Sequence, residues 1–166
     1  MRGIRRCRYR FGTKEMAMAV QRIRTFRDPV LYEACREVVS VTARTRRILR
    51  DMADTLRAHT NGAGLSANQI GVSQRLIVVM RENRLLALVN PVILWEQGTQ
   101  LAPEGCLSFP GLYGRVRRPM QVKVSALNEW GDPIVVTGSG EFAQCLAHEI
   151  DHLDGVVLPQ LLHSRT

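Results

Sequence analysis

Apolar positions in the first half of the chain follow two different periods. Between residues 42 and 59 they recur at helical spacing, with arginines on the opposite face, which predicts an amphipathic helix. Residues 76–80 and 85–89 are short, continuous apolar runs, which are typical of buried strands. Asn90-Pro91 follows the second run, and we expect this pair to end the strand.

The second half of the chain has a hairpin signal followed by a second helix. Residues 122–126 alternate between apolar and polar side chains, and the turn-like residues 129–132 separate them from a predicted strand at 134–137. Residues 142–153 are apolar on nearly all sides, which predicts a buried helix, and Ser139 can cap its start. Strands fill the middle of the chain and helices flank them. We therefore predict an α+β fold in which mostly antiparallel β-sheets pack around the central helix.

The predicted buried helix carries His148 and His152, four residues apart, with Glu149 beside the first histidine. Four residues are about one helical turn, so both rings leave the same side of the helix and can bind one metal ion. A solvated helix face with two unrelated histidines is the alternative, but polar groups on a buried helix need partners. The spacing therefore predicts a metal ion that activates water.

The third metal ligand is expected upstream of these histidines. Leu158 stands where metzincin proteases have a third histidine, which excludes that family. Asp154 is the only acidic residue after His152, and it is too close in sequence to fold back onto the ion. No downstream residue can therefore complete the site.

Cys106 is the best placed of the upstream candidates. It lies in a short, loop-like segment between Pro103 and Pro110. One thiolate and two imidazoles leave a fourth tetrahedral position open, which is the arrangement of a catalytic zinc-type site. Of the other upstream candidates, Cys145 is too far from His152 along the helix and His59 is badly placed. His163, near the C-terminus, is also badly placed.

Three segments resemble the signature motifs of the peptide deformylase family. They are GAGLSANQIG at 62–71, EGCLSFPG at 104–111 and HEIDHLDG at 148–155, and their order and spacing also agree. The similarity extends over residues 23–158. The resemblance implies an enzyme that hydrolyses the N-formyl group of formyl-methionyl peptides and releases formate.

The resemblance also implies a metal centre. Cys106, His148 and His152 would bind one divalent ion, natively Fe²⁺, for which Zn²⁺, Ni²⁺ or Co²⁺ can substitute. Glu149 would be the general acid and base, which takes a proton from the attacking water and delivers it to the departing amine.

Three further roles follow from the same resemblance. Gln69 would donate its side-chain amide, and Leu107 its backbone N–H, to the developing oxyanion of the formyl carbonyl. Gly64 would pair its backbone with the main chain of the substrate. A formamide is a poor electrophile, so hydrolysis at neutral pH requires an activated water and fixed donors of this kind.

The chain departs from the family pattern at three places. Ser66 stands where alanine is usual, and Ala147 replaces a glutamine, which removes one hydrogen bond near the metal and weakens metal retention. Tyr113 falls where some bacterial members carry a substrate-contacting arginine. None of the expected ligand, base or oxyanion positions is altered, so we expect an active enzyme.

The composition indicates how many domains the chain forms and in which cellular compartment it works. The 166 residues are 45% hydrophobic, which is enough for one core, and they include no apolar run of membrane-spanning length. The four cysteines have no disulfide spacing, which favours a reducing compartment, and they are Cys7, Cys35, Cys106 and Cys145. We expect a cytoplasmic enzyme, with an organelle stroma or matrix as the alternative.

The net charge of +8 is concentrated at the start of the chain. Residues 1–15 contain six basic residues and one acid. We expect residues 1–17 to be a basic, disordered extension and residues 18–166 to form a single metallohydrolase domain. The extension also leaves open a nucleic-acid-binding module, and another small metallopeptidase or amidase remains a further alternative.

Expected partners are N-formyl-methionyl peptides, with no membrane and no specific nucleic acid. Pro159 leaves no room for a stable C-terminal helix of about ten or more residues, an element that docks some bacterial deformylases on the ribosome. Any ribosome contact is therefore expected to be weak, salt-sensitive and carried by the arginines of residues 1–17.

Overall fold

One antiparallel sheet runs through the part of the chain that the structure describes, residues 19–163 of a computed structural model. Its strands are β1 (Gly64–Ser66), β2 (Leu76–Arg81), β3 (Arg84–Cys106), β4 (Phe109–Leu127) and β5 (Pro133–Ser139). Each strand pairs with the next one in the chain, and all four pairings are antiparallel. The α+β prediction with mostly antiparallel pairing is confirmed.

Two long helices flank this sheet, α1 (Ala43–Ala58) and α2 (Gly140–Leu153), close to the bounds that the apolar pattern predicts. A short helix, α3 (Leu158–His163), follows, and 3₁₀ turns form at Pro29–Tyr32 and Ala67–Ile70. Thr42 starts α1 through a reciprocal hydrogen-bond pair with Thr45, which satisfies backbone donors that a helix start leaves free.

The helices α1 and α2 pack on opposite faces of the sheet. Alternate side chains of a strand point to opposite faces, so Leu76 and Val78 join the core beneath α1, whereas Ile77 and Val79 join the core beneath α2. Leu146, a member of the second core, is fully buried. Burying a leucine side chain stabilises the fold by about 1.5–3 kcal/mol, so this packing holds α2 firmly in place.

The prediction that Asn90-Pro91 ends the strand is wrong, because β3 continues past this pair. Asn90 adopts a left-handed conformation, with φ 51°, at an irregularity between Val89 and Val92, after which β3 continues. Its side chain holds the backbone of Val38 through hydrogen bonds of 2.8 and 2.9 Å. A bulge of this kind accommodates proline, because the register is already interrupted there.

The segment around Cys106 is also more regular than the sequence predicts. Pro103 lies within β3 and Pro110 within β4, so the loop-like reading of this segment is wrong, and only Leu107 and Ser108 form the turn between the strands. Beyond Val89, β3 pairs only with β4, and a proline on such an open edge costs no ladder hydrogen bond.

The C-terminal part contains a helix of six residues, Leu158–His163, with Pro159 in its first turn. Proline is tolerated there, because the first N–H groups of a helix have no internal partner. The predicted extension at residues 1–17 lies outside the described residues. None of the helices within residues 19–163 combines the length and the hydropathy that crossing a membrane requires.

Candidate active site

Cys106, His148 and His152 converge at one point. The potential ligand atoms of these three residues all lie within 4.8 Å of one another, which is close enough to share one ion. Cys106 lies at the end of β3, and both histidines lie on α2. Within the part of the chain that the structure describes, no other cysteine joins this group.

The tight turn that follows β3 presents Cys106 to the helix. A register shift between Gly105 and Cys106 precedes the pairing of Cys106 with Phe109 across the turn. The Cys106 Sγ lies 3.2 Å from Nε2 of His152. The two imidazole rings have centroids 4.9 Å apart and an interplanar angle of 72°, so both rings can address one ion from different directions.

A buried ionic network orients His148. Its Nδ1 lies 2.9 Å from Oε2 of Glu104, which leaves the other ring nitrogen free to face the cluster. Arg118 donates two hydrogen bonds to Glu104, of 2.6 and 3.0 Å, and a third to Asp151. Burial raises the pKa of Glu104, but the hydrogen bonds from His148 and Arg118 outweigh it and bring that pKa to about 2.

Sequence reasoning did not assign roles to the network residues Glu104, Arg118 and Asp151. Two of them stand inside the quoted motifs, but nothing in the pattern indicates that Arg118 joins them. The antiparallel pairing of β3 with β4 brings Arg118 beneath the site, where it is only 6% exposed. A buried arginine requires acidic partners, but the sequence pattern does not show that Arg118 is buried.

The donor set fits a divalent cation. Burial lowers the pKa of His148, but hydrogen bonds with Cys106 and Glu104 outweigh it and raise that pKa to about 10. Burial, together with the charge of His148, holds the pKa of His152 well below its usual range. One thiolate and two imidazoles are a donor set that suits iron, zinc, nickel and cobalt alike.

Glu149 lies beside this cluster on α2, almost fully buried. Its Oε2 has no hydrogen-bond partner among the described residues. Burial raises the pKa of Glu149 to about 7, although the charge of His148 opposes the rise. A carboxylate with a free oxygen and a pKa near neutrality can both accept and donate a proton.

The side chain of Gln69 is held with its amide nitrogen towards Cys106. The Gln69 Oε1 accepts a 3.0 Å hydrogen bond from the Ser66 backbone N–H and lies 3.0 Å from the Ser66 hydroxyl. Its Nε2 is 3.6 Å from Cys106 Sγ and 3.1 Å from the hydroxyl of Ser108. The serine at position 66, which stands where alanine is usual in the family, therefore helps to fix the orientation of this amide.

The remaining positions singled out in the sequence also surround the cluster. Leu107 is half-buried in the turn next to Cys106. Gly64 lies against Glu149: a Cβ at position 64 would be 2.7 Å from Cγ and Oε1 of Glu149. Tyr113 is 78% exposed, but its ring edge lies against Gly105, 2.7 Å from where a Cβ would stand. Ala147 is buried on α2, so its small side chain belongs to the core.

Gly64→Ala should lower catalytic efficiency much more than it lowers stability. The new methyl group would push Glu149 out of place, and a displacement of about 1 Å in a reacting group can cost roughly 100-fold in rate. The measurement is kcat/KM together with the melting temperature. Gly138→Ala is the matched control, since its Cβ would press on Phe142 and Leu146 of α2 instead. Equal effects of both variants on kcat/KM would contradict the close approach of Gly64 to Glu149.

Comparison with known proteins shows which family the chain resembles. The family model described as polypeptide deformylase matches residues 20–166. Peptide deformylase 2 of Clostridium acetobutylicum is 44% identical over 145 residues, which cover 87% of this chain and 97% of that protein.

Solved structures with the same fold agree with this assignment. A peptide deformylase of Synechococcus elongatus in complex with actinonin superposes with a TM-score of 0.84 at 34% identity, covering 96% of this chain and 88% of that one. A Met-Ala-Ser-bound class I type b peptide deformylase of Acinetobacter baumannii superposes with a TM-score of 0.83 at 27% identity, covering 87% and 99%.

Proposed function

Because the chain belongs to the polypeptide deformylase family, whose enzymes remove N-formyl groups from newly made peptides, we propose that it acts on N-terminal formyl-methionine and releases formate. Enzymes of this family are metal-dependent, and for this chain we propose one divalent ion, Fe²⁺ in the native protein. The site of action that we propose is the cytoplasm, where formylated chains are made.

One observation carries the proposal. An amide donor (Gln69), a carboxylate with a pKa near 7 (Glu149) and a Cys-His-His donor set (at Cys106) meet within one small buried site. Hydrolysis of a formamide requires these three elements: a donor for the oxyanion, a group that moves protons, and an activated water. Gln69, Cys106 and the α2 group of His148, Glu149 and His152 come from three different segments, so their meeting does not follow from any single motif.

Each side chain of the site has its own proposed role in the reaction. A divalent ion held by Cys106, His148 and His152 would supply Lewis-acid activation of water at neutral pH. Glu149 accepts the proton of the attacking water on its free oxygen and returns it to the departing amine. A pKa near 7 lets the same carboxyl group perform both transfers without a large barrier in either direction.

Binding of the formyl group is assigned to fixed donors. Gln69 Nε2 donates to the developing oxyanion, and the backbone N–H of Leu107 is the second donor. The Ser66 contacts hold the Gln69 amide in this orientation before substrate arrives, so little reorganisation accompanies the reaction. The backbone of Gly64 pairs with the main chain of the peptide. The Met-Ala-Ser complex of the Acinetobacter baumannii protein supports a methionyl peptide as the ligand.

The direct test is release of formate from formyl-Met-Ala-Ser by the protein purified anaerobically with ferrous iron. We expect formate and Met-Ala-Ser as products, with no cleavage of the peptide bonds. The same peptide with an acetyl or a free amino terminus is the control, and it should remain intact. Cleavage between methionine and alanine without formate release would assign the site to a metallopeptidase instead.

The pH dependence of kcat/KM should have an acid limb that belongs to Glu149. This group must be ionised to accept a proton, so kcat/KM should fall as pH decreases through its pKa. Burial raises that pKa to about 7, and a bound cation favours the carboxylate, so the midpoint should lie at or below pH 7. In Glu149→Gln the residual rate should lack this limb; a persistent limb would assign it to another group.

A further inference from the structure

The first half of α1 carries four arginines whose charges are only partly balanced by nearby acidic groups. They are Arg44, Arg46, Arg47 and Arg50, and none of them forms an ion pair with a residue of the described part of the chain. The first turn of α1 has no acidic residue either. Cations at a helix start oppose the helix dipole, so this arrangement costs stability unless an anion binds there.

An exposed tryptophan lies next to one of these arginines, Arg46. Trp130 is at the tip of the turn between β4 and β5, is 65% exposed, and has the guanidinium of Arg46 5.4 Å from its ring centroid. The buried Asn128 side chain fixes the turn by accepting hydrogen bonds of 2.9 Å from the backbone N–H groups of both Trp130 and Asp132. The backbone of the turn is therefore fixed, and the indole stands at the surface, where a flat ring can stack on it.

Four acidic residues lie in or beside these elements, and three of them contact other polar side chains. Asp132 accepts a 3.1 Å hydrogen bond from the Asn128 side chain, and Asp54 pairs with Arg57 at 3.4 Å. Asp51 interacts electrostatically with Arg47 and Arg50, and its Oδ2 lies 3.5 Å from the side-chain amide nitrogen of Gln21. Glu129 precedes Trp130 in the chain. None of them lies in the first turn of α1, so the N-terminal half of the helix remains positive.

We propose that the N-terminal half of α1 and Trp130 form a binding surface for single-stranded RNA, without sequence preference. Guanidinium groups pair with phosphates, and an exposed aromatic ring adds base stacking, the combination that single-strand binders use. An acidic peptide would use the charge but not the ring. Because α1 and α2 pack on opposite faces of the sheet, RNA on this surface leaves the Cys106 cluster accessible.

The chain offers a direct optical test, because it contains only two tryptophans, Trp95 and Trp130. In the full-length Trp95→Phe protein, Trp130 is the single reporter. A twelve-nucleotide oligouridine should quench its fluorescence by stacking, and binding should weaken as salt rises. A blunt RNA duplex, whose bases are already stacked, should quench less. Binding of the oligonucleotide without quenching would place the RNA elsewhere, for example on the basic residues 1–15, and would overturn the proposal.

Charge-matched variants identify the surface. In the same background, Arg44→Gln/Arg47→Gln/Arg50→Gln should reduce affinity about tenfold or more and lower the salt slope by about 2, since each single-strand phosphate contact contributes about 0.7. The control carries the same charge change at three exposed arginines of β3 and β4, Arg84, Arg115 and Arg117. It should keep both the quenching and most of the affinity.

Two results would refute the proposal. One is an equal loss of affinity in both triple variants, which indicates diffuse charge without a defined surface. The other is binding and quenching by oligoglutamate as strong as by RNA, which indicates an acidic peptide partner. Near-UV circular dichroism and formate release check that each variant is folded, since no substituted residue belongs to the proposed catalytic site.

Discussion

Glu149→Gln should lower the rate of formate release by about 100-fold or more while the bound metal stays in place. Glutamine has nearly the same shape but cannot accept a proton at neutral pH. The pKa of Glu149 near 7, which follows from its burial, is the property that the substitution removes. Because Oε2 has no partner among the described residues, the substitution breaks few structural contacts.

Glu141→Gln is the matched control for this variant. Glu141 is in the first turn of the same helix and is exposed, so the same chemical change there should leave turnover close to that of the original protein. Metal content per chain and kcat are measured for both variants under identical loading. Near-normal turnover in a fully loaded Glu149→Gln protein would show that another group moves the protons.

Cys106→Ser should remove most of the bound metal, the second large effect that we expect. A thiolate is a strong ligand for iron or zinc, whereas a serine hydroxyl is not ionised at neutral pH and binds weakly. Loss of a hydrogen-bonded neighbour of a ligand typically costs about 10- to 100-fold in metal affinity, and loss of the ligand itself should cost more. Formate release should fall in proportion to the metal lost.

Cys145→Ser is the control for this second variant. Cys145 lies close to Gly64, 3.0 Å from where a Cβ would stand, but it is not part of the cluster. Burial raises the pKa of the Cys145 thiol well above its usual range, so it remains protonated. Its substitution should leave the metal content unchanged. If Cys145→Ser lost the metal and Cys106→Ser kept it, the choice of third ligand would be reversed.

The apolar pattern was sufficient to predict α1 and α2, and α2 carries His148, Glu149 and His152. Elimination among possible ligands left Cys106, which the structure brings within reach of His148 and His152. These inferences succeed because they depend on local spacing, which can be read directly from the sequence.

Other features depended on pairings that local patterns do not contain. The continuation of β3 through Asn90 requires the hydrogen bonds of Asn90 to Val38, which is distant in sequence. The prolines at 103 and 110 suggested a loop, because the local pattern does not show which strand edges are free to accept a proline. The contacts of Arg118 with Glu104 and Asp151 arise only when β4 lies beside β3 and α2.

Ser66 illustrates the same limit at a single position. The sequence shows it only as a small polar residue where alanine is usual. In the fold its hydroxyl lies within hydrogen-bonding distance of Asn68 and Gln69, at 2.8 and 3.0 Å. Because all three residues are buried, these contacts are not exchanged with water, so the orientation of the Gln69 amide is well defined.

The most direct test of the central proposal is a titration of metal-stripped protein with ferrous iron under anaerobic conditions, with formate release from formyl-Met-Ala-Ser as the readout. A single Cys106, His148 and His152 site predicts activity that rises linearly with iron and reaches its plateau at one ion per chain. The activity of Cys106→Ser should show no such plateau at one ion per chain. Full formate release by the stripped protein, or no release at one bound ion per chain, would contradict a deformylase that acts through this site.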